Sequence, residues 1–119
     1  MNRFYTKKIE DVIAAAGGGQ VPSELPGVLY SLGRDAETEE EYEWAFSLLM
    51  RLADHPSPHV VSLVILSLSL LAVFHGRLDR EAAEPVIRRG WAAAKGADRG
   101  RIWDAVEDIR LSLGWDLAL

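Results

Sequence analysis

HPSPHVVSLVILSLSLLAVFHG, residues 55–76, is the stretch whose reading decides the fold. Pro56 and Pro58 forbid a helix from running through them, because each removes an amide donor and fixes its own φ. From Val60 to Phe74 every residue is apolar except Ser62, Ser67 and Ser69. That run falls short of the ~20 residues a membrane-spanning helix needs, so a central helix buried on nearly all sides is expected. The stretch is answered by GADRGRIWDAVEDIRLSLGW at 96–115. A shift of 39 sets Leu63 on Ile102, Leu66 on Ala105, Leu70 on Ile109 and Phe74 on Leu113. Each copy follows a helix of its own, so the repeating unit is a helix pair. Paired helices repeating at roughly 40 residues are the sequence mark of an α-solenoid, a class of fold that presents surfaces.

Working outward, every other segment also reads as helix. Thr38 with Glu41 three residues on makes a capping box for a helix whose inner stripe is Tyr42, Ala45, Phe46, Leu49 and Ala53, widened by Leu48 and Leu52. Ser57 is the expected cap of the apolar helix, with Pro58 at its first position and Gly76 ending it. Asp79 is expected to cap a helix carrying Ala83, Ile87, Gly90, Trp91 and Ala94, with Pro85 inside to kink or delay it. Gly90 on that apolar stripe invites a close backbone approach. Gly96 is read as closing this helix and Asp98 as capping the last one, whose inner face is Ile102, Ala105, Val106, Ile109 and Leu113 before Gly114. Towards the N-terminus, Tyr5, Ile9, Val12, Ile13 and Ala16 form a stripe ended by Gly17, Gly18 and Gly19. Ser23 is expected to cap a short helix with Leu25, Leu29 and Leu32, stopped by Gly33. No segment alternates at period two, so no sheet is expected.

Composition narrows the function. The chain has 119 residues, 49% of them hydrophobic and 26% charged, enough for one domain with its own core. It has no cysteine, which excludes disulfides and thiolate metal sites. The start, MNRFYTKKIEDVI, carries charges where a signal peptide needs an apolar stretch, so a cytoplasmic location is expected. Net charge is −5, and residues 1–60 hold ten acids against five bases, whereas 61–119 hold eight of each. The excess sits in Asp35, Glu37, Glu39, Glu40, Glu41 and Glu43. Acids there suit the positive end of a helix dipole, and they also repel phosphates and anionic lipid while steering basic proteins inward.

Candidate chemistry is sparse. His55 and His59 stand four apart, but Pro56 and Pro58 interrupt the helical spacing a metal pair needs, so neither a metal nor any other cofactor is expected. The histidines read instead as helix-end groups touching solvent or the last carbonyls. Ser62, Ser67 and Ser69 are expected to bond back to their own backbone, and no strained serine elbow is present. The triple glycine lacks the lysine and hydroxyl of a phosphate loop. Asp104, Glu107 and Asp108 share one side of the last helix, with Arg101 and Arg110 placed to balance them, a solvated face rather than an acid–base pair. The tryptophans say more. Trp91 lies on a core stripe, whereas Trp44 stands beside Glu40, Ser47 and Arg51, and Trp103 beside Glu107 and Arg110. Aromatic side chains bordered by charges are the common make-up of protein-binding hot spots.

HPSPHV at 55–60, FHGRLDREAAEPVIRRG at 74–90 and DRGRIWDAVEDIRLSLGW at 98–115 resemble small bacterial HEAT-repeat proteins of the toxin-immunity type. The resemblance covers about the last 65 residues and departs from the HEAT pattern at Val61, where an arginine is usual; Arg99 or Arg101 is the nearer match in the second unit. It implies stoichiometric binding of a toxin. The expectation is therefore an all-α, short HEAT-like α-solenoid of five to six helices packed as antiparallel hairpins. It forms a single domain over 1–119, with N-terminal helices in 1–34 and HEAT-like pairs at 35–76 and 77–119. The function expected is non-enzymatic: an immunity protein that occludes a basic toxin domain, using Glu40, Glu43 and Trp44 with Trp103, Asp104 and Glu107. Neither nucleic acid nor membrane is expected as a partner, and a homodimer is compatible with the exposed solenoid ends. The alternatives are a general scaffold or adaptor of the same fold and a HEAT-like DNA repair glycosylase, whose kind resembles longer and more basic chains.

Overall fold

The helix boundaries follow from the caps. The computed structural model describes residues 3–119, with side chains from Tyr5 onward. Its helices are α1 (Arg3–Gly17), α2 (Leu25–Asp35), α3 (Glu39–Arg51), α4 (Pro58–His75), α5 (Arg80–Ala93) and α6 (Gly96–Leu113), and the described residues include no strand. The fold is all-α. The Thr38 hydroxyl accepts from the Glu41 amide while the Glu41 carboxylate accepts from the Thr38 amide, the reciprocal box that the sequence announces. Ser57 and Asp79 cap α4 and α5 through the amides of Val60 and Ala82. Gly76 and Gly114 close α4 and α6 at φ 67° and 70°, a conformation that costs a β-carbon-bearing residue dearly.

Several boundaries differ from expectation: Gly96 opens α6 instead of closing α5, which ends at Ala93 with Ala94 as its C-cap. Glu24 stands at the N-cap of α2 without a side-chain cap bond, and the Ser23 hydroxyl donates to the Glu24 carboxylate instead. Asp98 lies inside the first turn of α6, where it bonds sideways to His59 and Arg101; Lys95 is the N-cap residue. Pro85 does not delay α5, which starts at Arg80 and runs through it at the cost of one backbone bond.

The packing is serial. α4 is central and touches α2, α3, α5 and α6, while α1 packs against α2 and α3 only. α3 and α5 rest on α4 rather than on each other. Side chains join each helix pair to the one before it: His55 to the Ala16 carbonyl, His75 to the Ala36 carbonyl, His59 to Asp98 and Arg101 to the Ser62 hydroxyl, all spanning 39 residues. Ser67 donates to the Leu29 carbonyl at 2.6 Å, so this hydroxyl ties two helices rather than returning to its own turn as Ser62 and Ser69 do. The tie is possible because of Gly33, which lies inside α2 and does not stop it. A Cβ at Gly33 would stand 2.5 Å from the Ser67 carbonyl oxygen and 2.8 Å from Leu70 Cβ. Gly90 makes the corresponding close approach of α5 to Ile65 and Val61 of α4, as its place on the stripe suggested.

The internal echo is real but its register is 38, one residue shorter than the apolar letters suggest. α4 and α6 have 18 residues each, and their N-cap and C-cap residues, Ser57 with Lys95 and Gly76 with Gly114, are 38 apart. In this register Val64 matches Ile102, Leu68 matches Val106 and Leu71 matches Ile109, and all six are fully buried. The 39-residue pairing joins unlike environments: Phe74 is 57% exposed and Leu70 half-buried, whereas Ile109 is fully buried. One residue is 100° of helix rotation, and α4 is so uniformly apolar that its letters carry no phase to fix it.

α4 is also not enclosed on all sides. It is long and apolar enough to cross a membrane by length and composition, yet most of it is packed inside the fold. The remaining face, through Leu66, Leu70, Val73 and Phe74, opens to solvent between α2 and α6, with Val73 44% exposed.

Candidate acidic groove between the first and third helices

The capping box fixes the phase of α3, and that phase decides where its acids point. Tyr42, Ala45, Leu48 and Leu49 turn inward and are buried. Glu40 and Trp44, four residues apart, then fall on the side facing α1. Together with Thr6, Glu10, Thr38 and Glu41 they line an open groove of about 450 Å³. The Trp44 indole donates to the Glu10 carboxylate at 2.8 Å, which holds the half-buried ring upright along the groove wall. Of the three carboxylates, Glu10 accepts from Trp44 and Glu41 from the amides of Glu37 and Thr38, while Glu40 is exposed beside the ring.

Glu43 lies on the other side of α3. It accepts from Arg77 at 3.0 Å, and Glu39 binds the same guanidinium, which lies 4.0 Å from the centroid of the Tyr42 ring. Glu43 foremost, with Glu39, holds the Arg77 pKa above its ordinary value, and burial raises that of the Tyr42 hydroxyl. Glu43 is thus part of a tie between α3 and the start of the next pair, and not of the groove. The acids of residues 35–43 divide by role in the same way: Asp35 pairs with Arg34, Glu41 caps, and Glu37 and Glu40 remain exposed.

The remaining expected residues stand on α6, which makes no contact with α3. Trp103 is 45% exposed and rests against Trp91 of α5 with ring centroids 5.8 Å apart. Arg99 covers the Trp91 ring at 4.0 Å and Arg110 the Trp103 ring at 5.4 Å. Glu107 pairs with Arg110, which also donates to the Leu117 carbonyl and so ties the C-terminal tail down. Asp104 and Asp108 are exposed and make no ion pair among the described residues. Arg101 does not balance them: it is held by Asp98 at 2.8 Å and by Ser62 at 3.1 Å. The six expected residues therefore fall into a groove pair (Glu40, Trp44), an inter-unit tie (Glu43) and a separate α6 group (Trp103, Asp104, Glu107).

The histidines engage protein groups. His55 Nδ1 accepts from the Ser57 amide at 3.0 Å, so Nε2 carries the proton that it donates to the Ala16 carbonyl at 3.1 Å. His75 donates to Ala36 at 2.7 Å with its ring edge against Tyr42, and His59 meets Asp98 at 2.8 Å. That bond from His59, with the one from Arg101, holds the Asp98 carboxyl below the usual carboxylate range. Among the described residues no three His, Cys, Asp or Glu side chains come together in a metal-binding group. Sequence reasoning missed Thr6 and Glu10, because nothing in α1 alone says which face lies beside α3.

No protein-family model matches the chain, and neither a curated protein nor a solved structure matches it.

Proposed function

We propose that this chain is a short HEAT-like solenoid that acts as a protein-binding module without catalysis, and that its partner is a basic domain of the kind a toxin–immunity pair would supply. The serial packing of helix pairs at 38–39 residues supports the solenoid reading. The observation that carries the binding function is the groove in which Glu10 holds Trp44 beside Glu40. A net charge of −5 draws a cationic partner toward it, and the aromatic contact slows release once water is displaced. Occlusion of the partner's working surface is all that neutralisation requires.

Two measurements test this. Co-expression with the toxin encoded beside the gene protects cells under this reading, and a Trp44→Ala variant that stays folded by circular dichroism loses the protection. With the purified pair, Trp44→Ala weakens affinity by about tenfold or more, since a central tryptophan commonly contributes ~2 kcal/mol. The association rate falls steeply with added salt. Protection that survives Trp44→Ala together with Glu40→Gln rules out the groove, and an adaptor of the same fold then becomes the better account.

A further inference from the structure

The 38-residue register between α4 and α6 sets up an internal control. Equivalent positions on the two outward faces are Leu66 with Asp104, Leu70 with Asp108, Val73 with the exposed Leu111 and Phe74 with Ser112. Three inward positions, Val64, Leu68 and Leu71, match Ile102, Val106 and Ile109 in burial and apolar character, whereas the buried Leu63 and Ile65 are met by Arg101 and Trp103. The outward half of α6 shows that such a helix folds with acids at the places where α4 carries leucines. Val73 and Phe74 stand exposed and Leu66 and Leu70 half-buried, Leu70 beside Gly33 of α2, so much of this apolar surface meets solvent. Leu66, Leu70, Val73 and Phe74 form a stripe of about two turns, ~12 Å long, along the middle helix of the layer.

The rims of that stripe differ in charge. On the α6 side, Arg101 is locked to Asp98 and Ser62, while Asp104 and Asp108, following it at i+3 and i+7 on the same edge, are exposed and unpaired. On the α2 side, Arg34 is neutralised by Asp35 through two hydrogen bonds, and Tyr30 is 43% exposed. The face is therefore apolar along its centre, acidic along one rim and electrically neutral along the other. A second copy of this chain would bring its own net −5 to the contact with no unpaired cation on either rim to offset it. An anionic lipid surface meets the same two acids.

We infer that this face binds an amphipathic helix of another protein, with its apolar side on Leu66, Leu70, Val73 and Phe74 and a row of lysine or arginine along the Asp104–Asp108 rim. The mode is a helix laid against an apolar helical face, anchored at i, i+4 and i+7. It is a contact separate from the α1–α3 groove, and it stands or falls independently of that groove.

The probe is an 18-residue peptide of leucine and lysine arranged as an amphipathic helix, compared with a leucine–glutamate peptide of the same pattern. Binding to the full chain is followed by fluorescence anisotropy and located by backbone amide shifts in ¹⁵N NMR. The lysine peptide is expected to bind at least tenfold more tightly than the glutamate peptide and to shift amides along the outward face of α4 and the 101–108 edge of α6. Phe74→Ser and Val73→Ser, at the two exposed positions of the stripe, are each expected to weaken it about tenfold while the circular dichroism spectrum is unchanged. Asp104→Asn with Asp108→Asn should abolish the preference for lysine over glutamate. Trp44→Ala should change nothing here, which separates this contact from the groove. Shifts confined to the α1–α3 groove, equal binding of both peptides, or sedimentation as a dimer without peptide would each overturn the inference.

Discussion

α4 and α6 share a length, a closing glycine and a buried trio, and they differ over most of the rest of their surface. Both have 18 residues, both are closed by a glycine in the left-handed region, and the buried trio Val64, Leu68 and Leu71 is repeated as Ile102, Val106 and Ile109. Outward, leucines in one correspond to aspartates in the other. The shared trio is held constant by packing, where each buried aliphatic side chain contributes about 1.5–3 kcal/mol. The outward half is free of that constraint, so its chemistry reports on what the surface meets and not on how the chain folds.

The largest effect is expected from truncating the shared inner face. Leu71→Ala and Ile109→Ala should each destabilise by about 3 kcal/mol in urea denaturation, because both side chains are fully buried. If Ile109→Ala costs less than half of Leu71→Ala, the last helix is a loosely held cap and the two are not equivalent. Next comes the contact between α2 and α4. Gly33→Ala should cost about 2–3 kcal/mol, since its Cβ would meet a backbone oxygen that cannot swing aside. Gly90→Ala meets the flexible end of Ile65 instead, and the gain in helix propensity offsets much of that strain, so about 1 kcal/mol or less is expected. Equal losses in thermal melts would mean that α2 and α5 approach the centre with the same tolerance.

The smallest effect concerns the join between α4 and α6, and it depends on pH. Asp98 sits between His59 and Arg101 with its pKa depressed. A carboxyl with a lowered folded-state pKa contributes stability that is complete above the unfolded value near ~4 and is lost as pH falls through the folded value. Wild type should exceed Asp98→Asn by about 1–2 kcal/mol at pH 6, and the gap should close by about pH 2. A gap that persists at low pH would show that the carboxylate charge is not what joins the helices.

What was legible in the sequence follows from where phase information exists. Thr38 with Glu41, Ser57, Asp79, Gly76 and Gly114 mark helix ends by local chemistry, and the structure uses every one of them. α3 was legible in its cap and its buried stripe, because a capped amphipathic helix has one phase, but its letters group Glu43 with Glu40 and Trp44 although it turns to Arg77. α4 was not, because a helix apolar all round fits any register, and its open face was hidden by the same uniformity. Gly33 was misread because a glycine that ends a helix and one that admits a neighbour look alike until the neighbour is known. Glu10 and the locking of Arg101 are tertiary facts with no local trace.

The serial packing has a consequence for how the molecule comes apart. No helix touches another beyond the next pair: α1 never meets α5, and α2 never meets α6. Every loop that folding must close is therefore short on the scale of the chain, which favours rapid folding. Nothing at one end has to wait for the other end to be in place. α1, which touches only α2 and α3, can open while α2, α4, α5 and α6 keep their shared interior, so local opening starts at the N-terminal tip.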